Sequence, residues 1–363
     1  MQTIDERILE IEAEIRKTPY HKGTEHYIGK LKARIAKLRE EKIEKIFKSR
    51  SNGGGGGYGI KKTGDASVVL VGPPSVGKST LLNKITHAES KVAAYDFTTL
   101  NIIPGMLDYK GAKIQIFDVP GIMAGAASGR GRGKEVLSVA RNADLIMVMV
   151  DVKTVNLIPQ ILKELHEAGV RLNEEKPRVS IIKKLSGGIK VNSMTTLELG
   201  YDTIKSLAGE FHLTNAEVII KENISIERLI DVFMGNRAYL PYLMVINKAD
   251  LGMPKNLDKY LPPGVEPLFV SGIKDKNLDE LKEVLWQKLQ FIRVYLKNND
   301  EIDKNDPLII KKGSSLFWIL ENIAIPKKEN FKSAKVFGPG AKYPGQEVSL
   351  SFVPLDETVV QFE

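Results

Sequence analysis

One stretch, Gly72-Pro-Pro-Ser-Val-Gly77-Lys78-Ser79, limits the folds open to this chain more than any other. It fits G-x-x-x-x-G-K-[ST], a loop that wraps phosphate groups between a strand and a helix. The flanks suit it. Ala66 to Val71 is a short β-branched apolar run and reads as a buried strand, while Thr80 to Ile85 has helical apolar spacing. Gly72 and Gly77 permit a tight loop whose backbone N–H groups turn inward, and the helix N-terminus adds partial positive charge. Lys78 is expected to reach the β- and γ-phosphates, and Ser79 to hold Mg²⁺ through its hydroxyl. Pro74, Ser75, Val76 and Thr80 belong to the same candidate nucleotide site.

Downstream stretches extend the pattern. Tyr95-Asp-Phe-Thr98-Thr99 lies in polar-turn surroundings. Lys113 to Asp118 reads as a strand ending in a carboxylate, followed by Val-Pro-Gly121. At this distance from the loop, Asp118 suits a water-mediated contact to Mg²⁺ and the Gly121 amide suits a γ-phosphate. Gly121 to Gly133 is rich in glycine and alanine, has little to bury, and is expected to be mobile, as a segment ordered by a γ-phosphate and released on its loss would be.

A further strand, Tyr242 to Ile246, leads into Asn247-Lys248-Ala-Asp250. N-K-x-D reads guanine. Asp250 accepts from the ring N1–H and the 2-amino group, which adenine does not offer, so a mismatched base leaves polar groups unpaired. Asn247 supports the loop, and the Lys248 stem covers the ring. Ser271 and Gly272, at the next strand end, are expected to meet the base through backbone groups.

Outside this frame the chain has three more parts. Ile4, Ile8, Ile11 and Ile15 form one helix stripe, and Ile28, Leu31, Ile35 and Leu38 another, with Thr18-Pro19 between them. A helical hairpin is expected, ending in the glycine run Gly53 to Gly57. Residues 16–50 carry twelve Lys or Arg against four Glu, an excess equal to the +8 of the whole chain. Such local basicity points to a polyanion, and Lys30, Lys32, Arg34, Lys37 and Arg39 lie off the apolar stripe as candidate RNA contacts. A solvated surface or a protein-partner surface is the alternative.

The stretch between Arg171 and Tyr242 exceeds an ordinary connection. Arg178 to Ile182 and Gly188 to Val191 flank Ser186-Gly-Gly and suggest a hairpin, followed by a helix, a strand and a helix from Ile226 to Met234. From Arg293 onward short strands alternate with Pro and Gly turns, a separate β-rich part. There Phe317 and Trp318 lie in an expected helix from Ser315 to Asn322 and are read as core residues rather than a ligand platform.

Composition narrows the rest. Without cysteine there is no disulfide and no thiolate chemistry, which fits a reducing compartment. The start of the chain is charged rather than signal-like, and the most apolar run, Ala143 to Val150, is too short for a bilayer. A cytoplasmic location is expected, with no membrane or DNA partner and a monomeric chain.

Together, Gly72–Ser79, Phe97-Thr-Thr99, Asp118-Val-Pro-Gly-Ile122, Gly129-Arg-Gly-Arg-Gly133, Ile230-Asp-Val with Gly235-Asn-Arg237, and Asn247–Asp250 resemble the developmentally regulated GTP-binding protein subfamily of Obg-type GTPases. The likeness covers nearly the whole chain. It implies an α/β P-loop GTPase fold with an N-terminal helix-turn-helix (1–61), a GTPase domain in two parts (62–171 and 241–291), an inserted α+β module like the second domain of ribosomal protein S5 (172–240), and a C-terminal β-grasp domain of TGS type (292–363). It implies a slow GTPase using GTP, GDP and Mg²⁺ and acting as a switch on ribosomes or RNA, with a regulatory partner protein. Lys78, Thr99 and Gly121 are then the residues nearest the reaction, with Thr99 and Ser79 as Mg²⁺ ligands. Potassium-using relatives carry Asn where this chain has Ser75, so a K⁺ cofactor stays open. Ile122 stands where Ras-like enzymes have a catalytic Gln, as it does in the family, and leaves the water-positioning group unassigned. Two other readings remain open. One is a nucleotide kinase, which N-K-x-D opposes. The other is an RNA-binding assembly protein whose nucleotide is structural.

Overall fold

The computed structural model describes residues 2–48, 64–86, 103–118, 139–140, 143–298, 301–302, 304, 306–322 and 331–363. Thr98, Thr99, Gly121, Ile122, the glycine run 53–57 and the segment 121–133 lie outside the described residues. The chain divides into two compact units, Met1–Tyr58 with Gly125–Arg141 and Gln160–Leu240, and Gly59–Ala124 with Asn142–Pro159 and Pro241–Glu363.

The first unit opens with helices α1 (Ile4–Lys17) and α2 (Glu25–Lys48). Thr3 caps α1 in a reciprocal box with Glu6, which satisfies donors that a helix start leaves free. The isoleucine stripe of α1 meets Ile35 and Leu38 of α2, as the spacing predicts.

The second unit begins with β1 (Ala66–Val71) and α3 (Lys78–Ile85), then β2 (Ile103–Tyr109), β3 (Ala112–Asp118) and β4 (Leu145–Asp151). Strand β2 escapes a reading from sequence because Pro104 and Gly105 argue against a strand. It is tolerated because β2 runs antiparallel to β3 at the sheet edge. Every residue of β1 and β4 is buried, so the sheet is covered on both faces. Each Val, Leu, Ile or Met so buried contributes roughly 1.5–3 kcal/mol.

Beyond helix α4 (Ile158–Glu167) the chain returns to the first unit with β5 (Val170–Leu172), β6 (Val179–Lys183), β7 (Ile189–Ser193), helix α5 (Tyr201–Glu210), β8 (Ala216–Ile220), helix α6 (Ile226–Met234) and β9 (Ala238–Leu240). The expected hairpin of β6 and β7 does not form. Strand β8 lies between them, antiparallel to β6 and parallel to β7. Its inward residues Ala216, Val218 and Ile220 are fully buried, so the most apolar strand takes the central place. Asn215 holds the Ser186-Gly-Gly turn from below: its Oδ1 accepts from Gly188 N at 2.9 Å and its backbone carbonyl from Lys184 N at 3.0 Å.

Helix α2 packs on this module as well as on α1. Ala33 joins the core formed by Leu207, Val218, Ile220 and Leu229. Glu25 is buried and accepts from Gly200 N at 2.9 Å and Thr203 Oγ1 at 2.8 Å. Burial alone would raise its carboxyl, but the bonds from Gly200, Thr203 and Lys22 outweigh that and hold it below the ordinary value. The basic residues expected to face RNA are mostly occupied here. Lys32 pairs with Glu227, Arg34 with Glu210 at 3.9 Å, and Arg39 with Glu12 and Glu167 at 3.2 and 3.1 Å. Lys37 donates to the Glu210 carbonyl and lies over the Phe211 ring. Arg16, Lys17 and Lys30 have no ion-pair partner among the described residues. A sequence cannot show this, because the acids that neutralise α2 lie far along the chain.

The Ile230–Arg237 stretch forms a buried charge cluster. Arg171 grips Asp231 with two bonds of 2.6 and 2.7 Å, and Arg237 Nε donates to the same carboxylate at 2.9 Å. All three side chains are under a tenth exposed. They line a cavity of about 280 Å³ with Ile15, Ile35 and His166.

The second unit is completed by β10 (Tyr242–Asn247), β11 (Leu268–Phe269) and helix α7 (Leu278–Lys288). The first sheet then runs β11-β10-β4-β1-β3-β2, parallel except for β2. The remainder is β-rich: β12 (Phe291–Asn298), β13 (Glu301–Ile302), β14 (Leu308–Lys311), helix α8 (Leu316–Asn322), β15 (Ser333–Phe337), β16 (Gln346–Ser349) and β17 (Thr358–Phe362). They make a sheet in the order β13-β12-β17-β15-β16, with β14 also on β12. Phe317 and Trp318 correct their expectation: they are 56% and 42% exposed, because Leu316, Ile319 and Leu320 turn the inner face of α8 to the core.

Candidate functional site

Because β1, β3, β4, β10 and β11 run parallel, their C-terminal ends share one edge of the sheet. That edge gathers Gly72, Asp118, Asp151, Asn247 and Ser271, from five separate stretches. A crevice at the carboxyl ends of a parallel sheet is where ligands of such folds bind.

The glycines of the first loop are there for two different reasons. A Cβ on Gly72 would come within 2.0 Å of the Met149 carbonyl oxygen, so β4 leaves no room for one. Gly77 caps α3 in the left-handed region, with φ of 92°. Lys78 is buried, and its ammonium donates to the carbonyls of Gly72 and Pro73 at 3.1 and 2.9 Å. Burial pulls its pKa down, and Asp118 pulls the other way.

Ser79 Oγ donates to Asp118 Oδ2 at 2.7 Å. The other oxygen, Asp118 Oδ1, is buried with no hydrogen-bond partner among the described residues. A hydroxyl beside a carboxylate with a spare oxygen is a hard-oxygen donor set of the kind Mg²⁺ prefers, so these residues fit that ion.

The third loop is tied to the first. Asn247 Nδ2 donates to the Val76 carbonyl at 2.8 Å, while its Oδ1 accepts from Gly272 N at 3.2 Å. Lys248, with φ of 60°, donates to the Ser75 carbonyl at 2.8 Å and to Asp151 Oδ2 at 2.6 Å. Asp250 Oδ1 accepts from Ser271 Oγ at 2.5 Å, and that hydrogen bond is the first reason its carboxyl sits below the ordinary value. Ser271 Oγ in turn accepts from Lys274 N at 3.2 Å. The structure therefore brings Ser75, Val76, Gly77, Lys78, Ser79, Asp118, Asn247, Lys248, Asp250, Ser271 and Gly272 together, with Pro74 and Thr80 on exposed positions of the same loop and helix. Asp151 is the member that motif reasoning misses. Its only sequence signal is a carboxylate at the end of an apolar strand, the same signal that marks Asp118.

Residues 67–184 match a family model described as 50S ribosome-binding GTPase, and residues 186–291 one described as the C-terminal region of that domain. An uncharacterized GTP-binding protein of Methanocaldococcus jannaschii is 49% identical over 354 residues, 96% of this chain and 89% of that one. Developmentally-regulated GTP-binding protein 2 of Homo sapiens is 40% identical over 359 residues, 98% of both chains. The chain belongs to the developmentally regulated GTP-binding protein family. It is thus a GTP-binding protein of a GTPase family. The family's yeast member named Ribosome-interacting GTPase 1, from Saccharomyces cerevisiae, is 40% identical over 366 residues, 99% of both chains. No helix among the described residues is long and apolar enough to cross a membrane.

Proposed function

We propose that this family member hydrolyses GTP slowly at the sheet edge just described and works as a Mg²⁺-dependent switch on the ribosome or its RNA. The observation that carries the catalytic part is the pairing of Ser79 with Asp118, whose other, buried oxygen has no hydrogen-bond partner among the described residues. Ser79 and Thr99 would hold the ion, and Asp118 would reach it through water. The bound ion would neutralise charge on the phosphate oxygens. Lys78 would do the same at the β- and γ-phosphates, and the Gly121 amide would bind the γ-phosphate. Asn247 fixes the base loop on the phosphate loop, so Asp250 and the phosphate-binding groups are presented as one surface. Lys248 covers one face of the guanine.

The ribosome part is supported by the family description over residues 67–184 and by the name of the yeast relative. A cytoplasmic setting follows from that partner. The Ile122 side chain has no group to orient water or donate a hydrogen bond, so a further residue, a cation such as K⁺, or a partner protein must complete the site.

Single-turnover hydrolysis tests the reading. In Mg²⁺ and sodium the isolated chain should turn over on the order of 10⁻⁴ to 10⁻³ per second, as unassisted small GTPases do. Lys78→Ala and Ser79→Asn should abolish it. Rates near one per second, or parent rates in either variant, would refute the assignment. Co-sedimentation with ribosomal subunits should differ between GDP and a non-hydrolysable GTP analogue; equal binding in both would sink the switch.

A further inference from the structure

We propose that Asp151, which belongs to none of the nucleotide motifs, is a positioning residue for guanine recognition and acts through Lys248. The proposal rests on the GTP-binding reading and goes beyond it by adding a residue.

Asp151 ends β4 directly opposite Asn247 in the β4–β10 ladder, so the next residue, Lys248, starts beside it. Its side chain is buried, and its two oxygens have separate tasks. Oδ1 accepts from Lys153 N at 3.0 Å and Thr154 Oγ1 at 2.8 Å, which closes the turn after β4. Oδ2 accepts from Lys248 Nζ at 2.6 Å. Burial would raise this carboxyl, but the bonds from Lys248, Thr154 and Lys153 hold it below its ordinary value, so it stays ionised at neutral pH.

The ammonium of Lys248 makes a second bond, to the Ser75 carbonyl at 2.8 Å. One Nζ therefore joins the end of β4, the end of β10 and the phosphate loop. Ser75 and Lys248 are both non-glycine residues in the left-handed region, with φ of 65° and 60°. Such backbones persist where neighbouring groups over-determine them. A free lysine stem samples many rotamers, and fixing both its ends before the base arrives removes that cost from binding. Asp151 is the charged half of the outer anchor.

The plain alternative is that Asp151 merely caps its own turn and Lys248 happens to neutralise it. The division of labour between its oxygens separates the two. Asp151→Asn retains one oxygen for the Thr154 turn and puts an NH₂ where Lys248 Nζ needs an acceptor. Thr154→Val weakens the turn and leaves the ion pair.

Release of a fluorescent GDP should be timed in the full chain by stopped flow. Asp151→Asn should speed release by about tenfold, the weight of a charge-assisted hydrogen bond. In a Lys248→Met background, which keeps the apolar stem without the ammonium, the same change should add less than about twofold. Thr154→Val should lower the melting temperature and leave release unchanged. If Asp151→Asn does not fold, Asp151→Ser carries the same comparison, since its hydroxyl can still close the turn. Three results would each overturn the proposal: unchanged release in Asp151→Asn, the same acceleration whether or not Lys248→Met is present, or an equal effect of Thr154→Val. A parent chain that fails to retain GDP would instead refute the GTP-binding reading itself.

Discussion

Asn247 stands where Gly77 would carry a side chain: a Cβ built on Gly77 would lie 2.5 Å from Asn247 Nδ2. The Asn247–Asp250 loop and the Gly72–Ser79 loop therefore depend on each other sterically as well as through the 2.8 Å bond from Asn247 to the Val76 carbonyl. Gly77→Ala should suffer twice, from the clash and from a left-handed φ of 92° that costs an L-residue roughly 1–2 kcal/mol. GDP affinity, measured by calorimetry, should fall at least tenfold. Affinity within twofold of the parent would mean that the loops are not coupled at this point.

In the proposed function Asp250 is the residue that reads the base. Asp250→Asn should move preference from guanine toward xanthine nucleotides, because the amide offers a donor where guanine also has one. Equal affinity of the parent for ATP and GTP would sink the assignment. The pH dependence has a definite sign. With Asp250 held below 3.8 by the Ser271 hydrogen bond, its ionised form is complete above the ordinary aspartate range. The contribution of that bond to stability is likewise present there and lost only as pH falls through the lowered value. Guanine selectivity should thus be flat from pH 8 to about 5. Ser271→Ala should move the acid limb upward, and a selectivity loss centred near pH 6 would contradict this.

Asp231 is the sole carboxylate bonded to both Arg171 and Arg237 among the described residues. Asp231→Ala leaves two buried guanidinium groups without it and should cost about 3–5 kcal/mol in chemical denaturation. Asp231→Asn keeps one acceptor oxygen and should lose less. A loss below about 1 kcal/mol in the alanine variant would show that Glu40 and solvent can take over.

The basic hairpin needs a different test from one based on charge alone. Arg34 and Lys37 are bound to Glu210 or its carbonyl, so reversing them disturbs the module they sit on. Deleting residues 1–50 would likewise strip Ala33 and Glu25 from its core. Arg16, Lys17 and Lys30, which lack such partners among the described residues, are the cations available to phosphate. Replacing the three by Gln should leave the melting temperature within a few degrees and reduce the salt dependence of ribosomal RNA binding. The log–log slope should fall by up to about 0.7–0.9 per lost phosphate contact. An unchanged slope in filter binding across potassium chloride concentrations would place RNA contact elsewhere.

The strands and helices that carry the candidate site were legible in the chain because each rests on local rules. Gly72 to Ser79, Asp118 and Asn247 to Asp250 are short runs beside apolar strands, and strand, loop and helix periodicities need only neighbours in sequence. The helices from Ile4, Glu25 and Ile226 follow from apolar spacing for the same reason.

What the tertiary structure alone decided is which distant groups meet. Hydrophobic periodicity tells a strand which face to bury but not which strand to lie beside, so β8 could enter between β6 and β7 and cancel the expected hairpin. The same periodicity marks the polar face of α2 without saying whether solvent, RNA or the acids Glu210 and Glu227 will cover it. Asp151 comes beside Lys248 only because the parallel register of β4 and β10 sets it across from Asn247. Coulomb and hydrogen-bond interactions act over a few ångströms in space, whatever the separation along the chain, and folding alone sets those distances.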